Sequence, residues 1–225
     1  RDPEYGDVSP ARFVEIAEDS GLILEMSAWV MRAVCRQMRR WLDRGIRVPV
    51  AINCSGKELL HGDPARVLEA EAAAANVPTA LVEIELTESL LIQDSAAVQS
   101  ALRRLRQLGC QIALDDFGTG YSSLSALQQF PIGTLKIDQS FVRDAAINSD
   151  DATIVRTIID MGKALEVEVV AEGVETEEQF SFLRNRGCHY GQGRLFGDAM
   201  TAEEFLQLVT SQEGGRNRVS QLFAS

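Results

Sequence analysis

The chain has 225 residues, 45% of them hydrophobic and 24% charged, and a formal net charge of −11. These are globular values, with enough apolar material for one large domain or two small ones. The acidic balance argues against non-specific binding to a nucleic-acid polymer, which needs a basic face, but not against a small phosphorylated ligand held through metals. No apolar run approaches the roughly 20 residues of a membrane span, and no signal peptide is visible.

Taken in order, Ser9-Pro10 reads as a helix cap with proline at the first helical position, opening a helix over residues 11–19. A longer amphipathic helix follows over 23–42, ended by Gly45. Residues 47–53 are the first strand. An alanine-rich helix covers 64–75, a strand 81–86, a helix 95–108 and a strand 111–115. A short helix spans 123–128, a strand 134–138, a helix 151–165 and a strand 168–171. Thr176 caps a helix to residue 185, a glycine-rich strand lies within 190–196, and a capped helix covers 201–210. The polar stretch 211–225 reads as a tail. Strands alternating with helices in units of roughly 30 residues mean a parallel sheet. Six strands are visible, against the eight of a closed (β/α)8 barrel; a doubly wound open sheet is the other architecture. Neither a G-x-G-x-x-G after the first strand nor a Walker A sequence is present.

The strongest chemical signal is Ile112-Ala113-Leu114-Asp115-Asp116-Phe117-Gly118-Thr119-Gly120. A short buried strand runs into two adjacent carboxylates and a glycine turn. Two such acids repel one another unless a cation sits with them or one stays protonated. A turn aspartate followed by a helix cap is the bland alternative. The pattern recurs, however: other strands end at Asn53, at Glu85 with Glu88 beyond, at Lys136 and Asp138, and at Glu172, and the last carries Gln192. The C-terminal end of the strands is where active sites sit in barrels and open α/β sheets alike. Acids, one amide and one lysine make an oxygen cage for divalent cations with a single countercharge. Lys136, flanked by Leu135 and Ile137 on a buried strand, needs an acidic partner. Cys35, Cys54, Cys110 and Cys188 show no CxxC spacing and read as reduced core thiols of a cytosolic protein. His61 and His189 form no zinc-type pair, so a metal here would be a hard cation. Clustered carboxylates suit two metals about 4 Å apart, an arrangement that drives phosphoester hydrolysis.

These residues resemble the EAL-domain cyclic di-GMP phosphodiesterases. The matching stretches are Ser9-Pro10-Ala11-Arg12-Phe13, Ile52-Asn53-Cys54-Ser55, Glu85-Leu86-Thr87-Glu88, Asp115-Asp116-Phe117-Gly118-Thr119-Gly120-Tyr121-Ser122-Ser123-Leu124, Leu135-Lys136-Ile137-Asp138, Ala171-Glu172-Gly173-Val174-Glu175 and Gly191-Gln192-Gly193. The resemblance implies a TIM-like (β/α)8 barrel over residues 1–210, usually with one strand running against the others. It implies hydrolysis of cyclic di-GMP to linear pGpG with two Mg²⁺ or Mn²⁺ ions, inhibition by Ca²⁺, and a cytoplasmic homodimer in bacterial second-messenger signalling. Direct membrane contact by the domain is not expected, although an upstream segment would be able to tether a longer protein.

Carried over by position, Asn53, Glu85 and Asp115 would bind one metal, and Asp115 and Asp116 would reach the second. Glu172 would be a metal ligand or water-activating base. Lys136 would hold the nucleophilic water, with Gln192 near that water or the phosphate. Glu88 would brace the loop 116–122, with Thr119 and Asp138 as loop or substrate support and Glu175 behind the ligands. The Glu-Ala-Leu strand that names the family would end just where Arg1 stands, so either these residues were left out of this chain or the domain is an incomplete barrel. After Gln192 the family's usual aromatic and proline are replaced by Arg194-Leu195-Phe196-Gly197-Asp198-Ala199. A second reading stays open: a catalytically inactive receptor for cyclic di-GMP.

Overall fold

The structure is a computed structural model that describes residues 6, 8–93, 96–120 and 124–212. The chain divides into two compact units, the first comprising Arg1–Ile84 with Ser95–Cys110 and the second Glu85–Asp94 with Gln111–Ser225.

In the first unit, α1 (Pro10–Ser20) begins at the expected proline, but Ser9 makes no side-chain cap bond, so its role there is one of backbone position alone. Helix α2 (Ile23–Leu42) buries Ile23, Ser27, Met31, Cys35 and Met38. Their three- and four-residue spacing is one face of a helix, and that face packs on α4 and β1. Strand β1 (Val50–Asn53) starts later than residue 47. Pro49 has no N–H for a ladder, which sets the boundary. A short helix not expected from the sequence, α3 (Gly56–His61), follows; Ser55 and Glu58 close it with a capping box. Asp63 caps α4 (Pro64–Ala75) through the Arg66 amide. A 3₁₀ turn, Thr79–Leu81, leads into β2 (Val82–Thr87), and α5 (Ala96–Gln107) completes the unit.

Glu58 is 3% exposed. It accepts from the Ser27 hydroxyl and, at 2.9 Å, from the Ser55 amide. Burial pushes its carboxyl above the ordinary value of 4.5, against the pull of those hydrogen bonds. The folded chain therefore keeps this proton at pH values where the unfolded chain has lost it. Stability from this group is complete below about pH 4.5 and declines as pH rises through the folded value. Glu58→Gln never ionises, so its melting temperature should fall less than the parent's between about pH 4.5 and 7. Parallel melting curves across that range would show that Glu58 titrates normally.

The second unit opens with a 3₁₀ helix, Glu88–Gln93. Its regular elements are β3 (Gln111–Phe117), α6 (Leu124–Gln129), β4 (Thr134–Ile137), α7 (Gln139–Asp144), α8 (Ser149–Leu165), β5 (Glu168–Ala171), α9 (Glu177–Arg186), β6 (Tyr190–Gly191) and α10 (Ala202–Gln212). The pairs β3–β4, β4–β5 and β5–β6 are parallel. Ile112, Ala113, Leu135, Ile137, Val169 and Ala171 are fully buried, as central strands covered on both faces must be. Helix α8 closes on β5 at Gly162, where a Cβ would stand 2.2 Å from Val169 Cγ2. Thr176 and Gln179 form a reciprocal capping box at the start of α9.

The six strands form one sheet in the order β1-β2-β3-β4-β5-β6. Each strand lies beside its neighbour in sequence, with no reversal of order. A doubly wound sheet would reverse at a switch point; sequential order is the topology of a partial TIM-like barrel. Several boundaries in the second unit differ from the sequence reading. Strand β3 runs to Phe117, α8 begins at Ser149 with an Asn148 cap, and β6 stops at Gly191, after which residues 194–196 turn. Helix α10 reaches Gln212, so the first two residues of the expected tail are helical. Residues 213–225 lie outside the described residues, as do Ser95, Tyr121, Ser122 and Ser123, on which two helix starts and part of the loop motif fall. Among the described residues no helix is long and apolar enough to cross a membrane.

Candidate active site

The centre of the site is Lys136 on β4. Its side chain is 6% exposed, and its Nζ lies 2.7 Å from Glu85, 3.2 Å from Asp115 and 2.6 Å from Glu172. Glu85 comes from β2, Asp115 from β3, and Glu172 follows β5 directly, its amide donating to the Ile137 carbonyl at 3.1 Å. Burial alone would lower the lysine's pKa. The hydrogen bonds and charges of Glu172 and Glu85 outweigh it and raise the value. Glu172 moves the other way from a salt-bridged surface acid: burial pushes it up, and the attraction of Lys136 only partly opposes that.

Asp115 and Asp116 are adjacent in β3, and a regular strand would send them to opposite faces. The register prevents this. Between the Leu114–Leu135 and Phe117–Ile137 pairs, β3 advances three residues while β4 advances two. Asp116 takes up the extra residue in the left-handed region, with φ 54, where a short polar side chain is better tolerated than most. Oxygens of Asp115, Asp116 and Glu172 consequently lie within 4.8 Å of one another. Burial pushes the Asp116 carboxyl up, and the negative charges of Asp115 and Asp138 push it further.

The loop beyond β3 is tied down from two directions. Glu88, 3% exposed, accepts from the Gly118 amide at 2.9 Å and the Gly120 amide at 3.0 Å. The Thr119 hydroxyl donates to the Asp116 carbonyl at 2.8 Å. Asp138 closes β4 and caps α7 through the Ser140 amide at 2.9 Å. Glu175 is exposed and pairs with Arg194 at 3.3 Å. Gln192 is exposed just past β6; its amide donates to the Ala171 carbonyl at 2.8 Å, and its carbonyl accepts from Val174 at 3.0 Å. Asn53 ends β1 in the first unit, also exposed. The second unit thus gathers Glu85, Asp115, Asp116, Lys136 and Glu172. Ser140 escaped the sequence reading, although Asp138-Gln139-Ser140 after a strand is a recognisable helix-cap spacing.

The donor set fits a hard divalent cation. The carboxylates outnumber the single ammonium, so the cluster carries surplus negative charge in a partly buried place. Neighbouring oxygens around Mg²⁺ or Mn²⁺ stand about 3 to 4 Å apart, within the span of the Asp115, Asp116 and Glu172 group.

A parallel sheet with strands in sequence order that collects acids around one lysine is an α/β domain of the partial TIM-barrel type, with an acidic cluster of a kind that could hold a divalent cation. The chain belongs to the EAL domain family, which matches residues 1–199. It is 41% identical over 203 residues to the cyclic di-GMP phosphodiesterase PdeR of Escherichia coli (strain K12), an alignment covering 90% of this chain and 31% of PdeR. The chain thus spans about a third of that relative's length. The PaMucR phosphodiesterase in complex with c-di-GMP superposes with a TM-score of 0.85 at 40% identity, covering 91% of this chain and 83% of PaMucR. Klebsiella pneumoniae BlrP1, solved with cyclic di-GMP and calcium, superposes with a TM-score of 0.73 at 31% identity, covering 83% of this chain and 47% of BlrP1. A manganese complex of the same protein superposes equally well.

Proposed function

We propose that this chain is the catalytic domain of a metal-dependent phosphodiesterase that hydrolyses cyclic di-GMP to linear 5'-pGpG in bacterial second-messenger signalling. The observation that carries the reading is Lys136, enclosed by Glu85, Asp115 and Glu172 beside the Asp115, Asp116 and Glu172 group. Catalytically inactive relatives would be expected to lack acids from this set; here all of them converge. Two Mg²⁺ or Mn²⁺ ions, when bound, would supply Lewis acidity to the phosphate and make water a nucleophile near neutral pH.

The protein's own groups have separable tasks. Glu85, Asp115, Asp116 and Glu172 would hold the cations. The Lys136 ammonium would donate to the attacking water and offset charge that develops on the phosphate. Glu172 would serve either as one of those ligands or as the group that accepts the attacking water's proton. Gln192 would donate to the phosphate. The Glu88 bonds would keep the loop after Asp116 from swinging. A cytoplasmic homodimer is the expected working form.

The test is hydrolysis of cyclic di-GMP with Mg²⁺, Mn²⁺ or Ca²⁺, by this chain and by a version extended through a Glu-Ala-Leu strand ahead of Arg1. The expected result is pGpG from the extended chain with Mg²⁺ or Mn²⁺ and none with Ca²⁺. Tight binding without turnover in the extended chain would instead make the domain a receptor.

A further inference from the structure

We infer that Arg194 and Glu175 form a guanine-reading pair, a determinant of base specificity for the reaction proposed above. The pair rests on the phosphodiesterase reading for its ligand and on contacts of its own for its geometry. Ala171 ends β5 and Gly191 ends β6. Past those ends the two segments stay together. The Gln192 amide donates to the Ala171 carbonyl at 2.8 Å, the Val174 amide to the Gln192 carbonyl at 3.0 Å, and the Leu195 amide to the Val174 carbonyl at 3.0 Å. Gly193 lets them close up, since a Cβ there would stand 2.2 Å from the Val174 carbonyl oxygen. Phe196 anchors the far side, its ring edge-on to Phe180 of α9 with centroids 5.9 Å apart. This doubled backbone carries Glu172 and Gln192 where it leaves the sheet, and Glu175 and Arg194 further out. Chain length bounds the distances. The Glu172 and Glu175 Cα atoms, three residues apart, lie within about 11 Å of one another, and those of Gln192 and Arg194, two apart, within about 7 Å. A base joined through one ribose to a phosphate at Glu172 and Gln192 falls within reach of side chains so placed.

The chemistry of the pair matches one base. Arg194 Nη1 lies 3.3 Å from Glu175 Oε1, and Arg194 Nε lies 3.9 Å from Asp198. The Arg194 side chain is 75% exposed and that of Glu175 52%. An ion pair this open to water adds little to stability, so both groups are free to turn to a ligand. A guanidinium beside a carboxylate presents donors and then acceptors along one line. Guanine presents the complement: N7 and O6 accept, and the adjoining N1–H and N2 amino group donate. Adenine carries an amino group where guanine has O6, and would set a donor against the guanidinium. A phosphate would use the cation alone and be repelled by Glu175 and Asp198.

Both side chains are exposed, so substitutions there leave the core intact. Binding of cyclic di-GMP and of its adenine counterpart, cyclic di-AMP, is measured by calorimetry with Ca²⁺, and turnover of each separately with Mn²⁺. The parent should bind cyclic di-GMP about tenfold or more tightly than cyclic di-AMP, the scale of one bidentate base contact. Arg194→Gln and Glu175→Gln should each remove most of that preference, weakening cyclic di-GMP about tenfold and cyclic di-AMP less than about twofold. Arg194→Lys keeps the charge but not the planar fork, and should lose the preference as Arg194→Gln does. Equal weakening of both dinucleotides in Arg194→Gln, or full recovery in Arg194→Lys, would make Arg194 a phosphate contact and overturn the inference. A parent that binds the two dinucleotides alike would overturn it as well. A parent that binds cyclic di-GMP with the expected preference but hydrolyses nothing would overturn the phosphodiesterase reading alone. A parent that binds neither would overturn both.

Discussion

Replacing Lys136 by methionine should lower the melting temperature of the metal-free chain, cut turnover sharply, and leave a protein that Mn²⁺ stabilises more than it stabilises the parent. The ammonium has three carboxylate partners within 3.2 Å. Methionine fills the same volume but leaves those carboxylates facing one another without a countercharge. Breaking a buried pair from one side costs about 3 to 5 kcal/mol, and partial access of water to the acids places the expected loss at the low end. Because the lysine's pKa is raised in the folded chain, its contribution is complete below its ordinary value of 10.5 and is lost only as pH rises past the folded value. Neutral pH therefore reports the full effect. Cations bind only the folded cluster, so the melting temperature should climb with Mn²⁺ concentration. Turnover should stay down by about a thousandfold, the scale expected when a preorganised donor to developing charge is removed. An unchanged melting temperature in the absence of metal would mean that the ion pairs contribute nothing net.

Asp116→Asn should do the reverse to stability and the same to activity. The Asp116 carboxyl is pushed up by burial and by the charges of Asp115 and Asp138. Its ionisation near neutral pH is therefore a cost to the folded state. Stability from this group is complete below its ordinary pKa of 3.8 and declines as pH rises through the folded value. Asparagine removes that charge and still accepts the left-handed backbone that φ 54 requires. The metal-free protein should melt higher than the parent above about pH 5, while turnover falls by about a thousandfold through loss of a cation ligand. Asp116→Ala separates the two effects. It removes the same charge but places a residue with little tolerance for positive φ at that position, at a cost of about 1 to 2 kcal/mol. Alanine should therefore melt below asparagine. If the two variants melt together, the backbone at position 116 relaxes and the register shift does not depend on it.

These two neighbours, Lys136 and Asp116, also mark how far the sequence can be read. A lysine between Leu135 and Ile137 on a strand buried on both faces must find acids, because an unpaired ammonium there would be too costly. That much follows from burial and period alone. The parallel sheet follows in the same way from alternation of strands and helices, and the cap at Thr176 from residue type at a helix start. Period and residue type are local properties, and the chain states them directly.

Other features lay outside that local information. The helices at Gly56–His61 and Gln139–Asp144 are too short for an apolar repeat to show. Strand β3 does not stop at its aspartates; it continues to Phe117 through the register shift. Strand β6 is only two residues long and pairs with Val170 and Ala171 of β5.

The residue order alone pointed to acids and one lysine at the ends of buried strands, in an order that matches one family. Tertiary structure decided how they meet. The sequential strand order brings the C-terminal ends together, and one extra residue in β3 turns Asp115 and Asp116 to the same side. The reason is physical: strand period is written in every pair of residues, whereas register is a relation between two strands, and neither strand alone contains it.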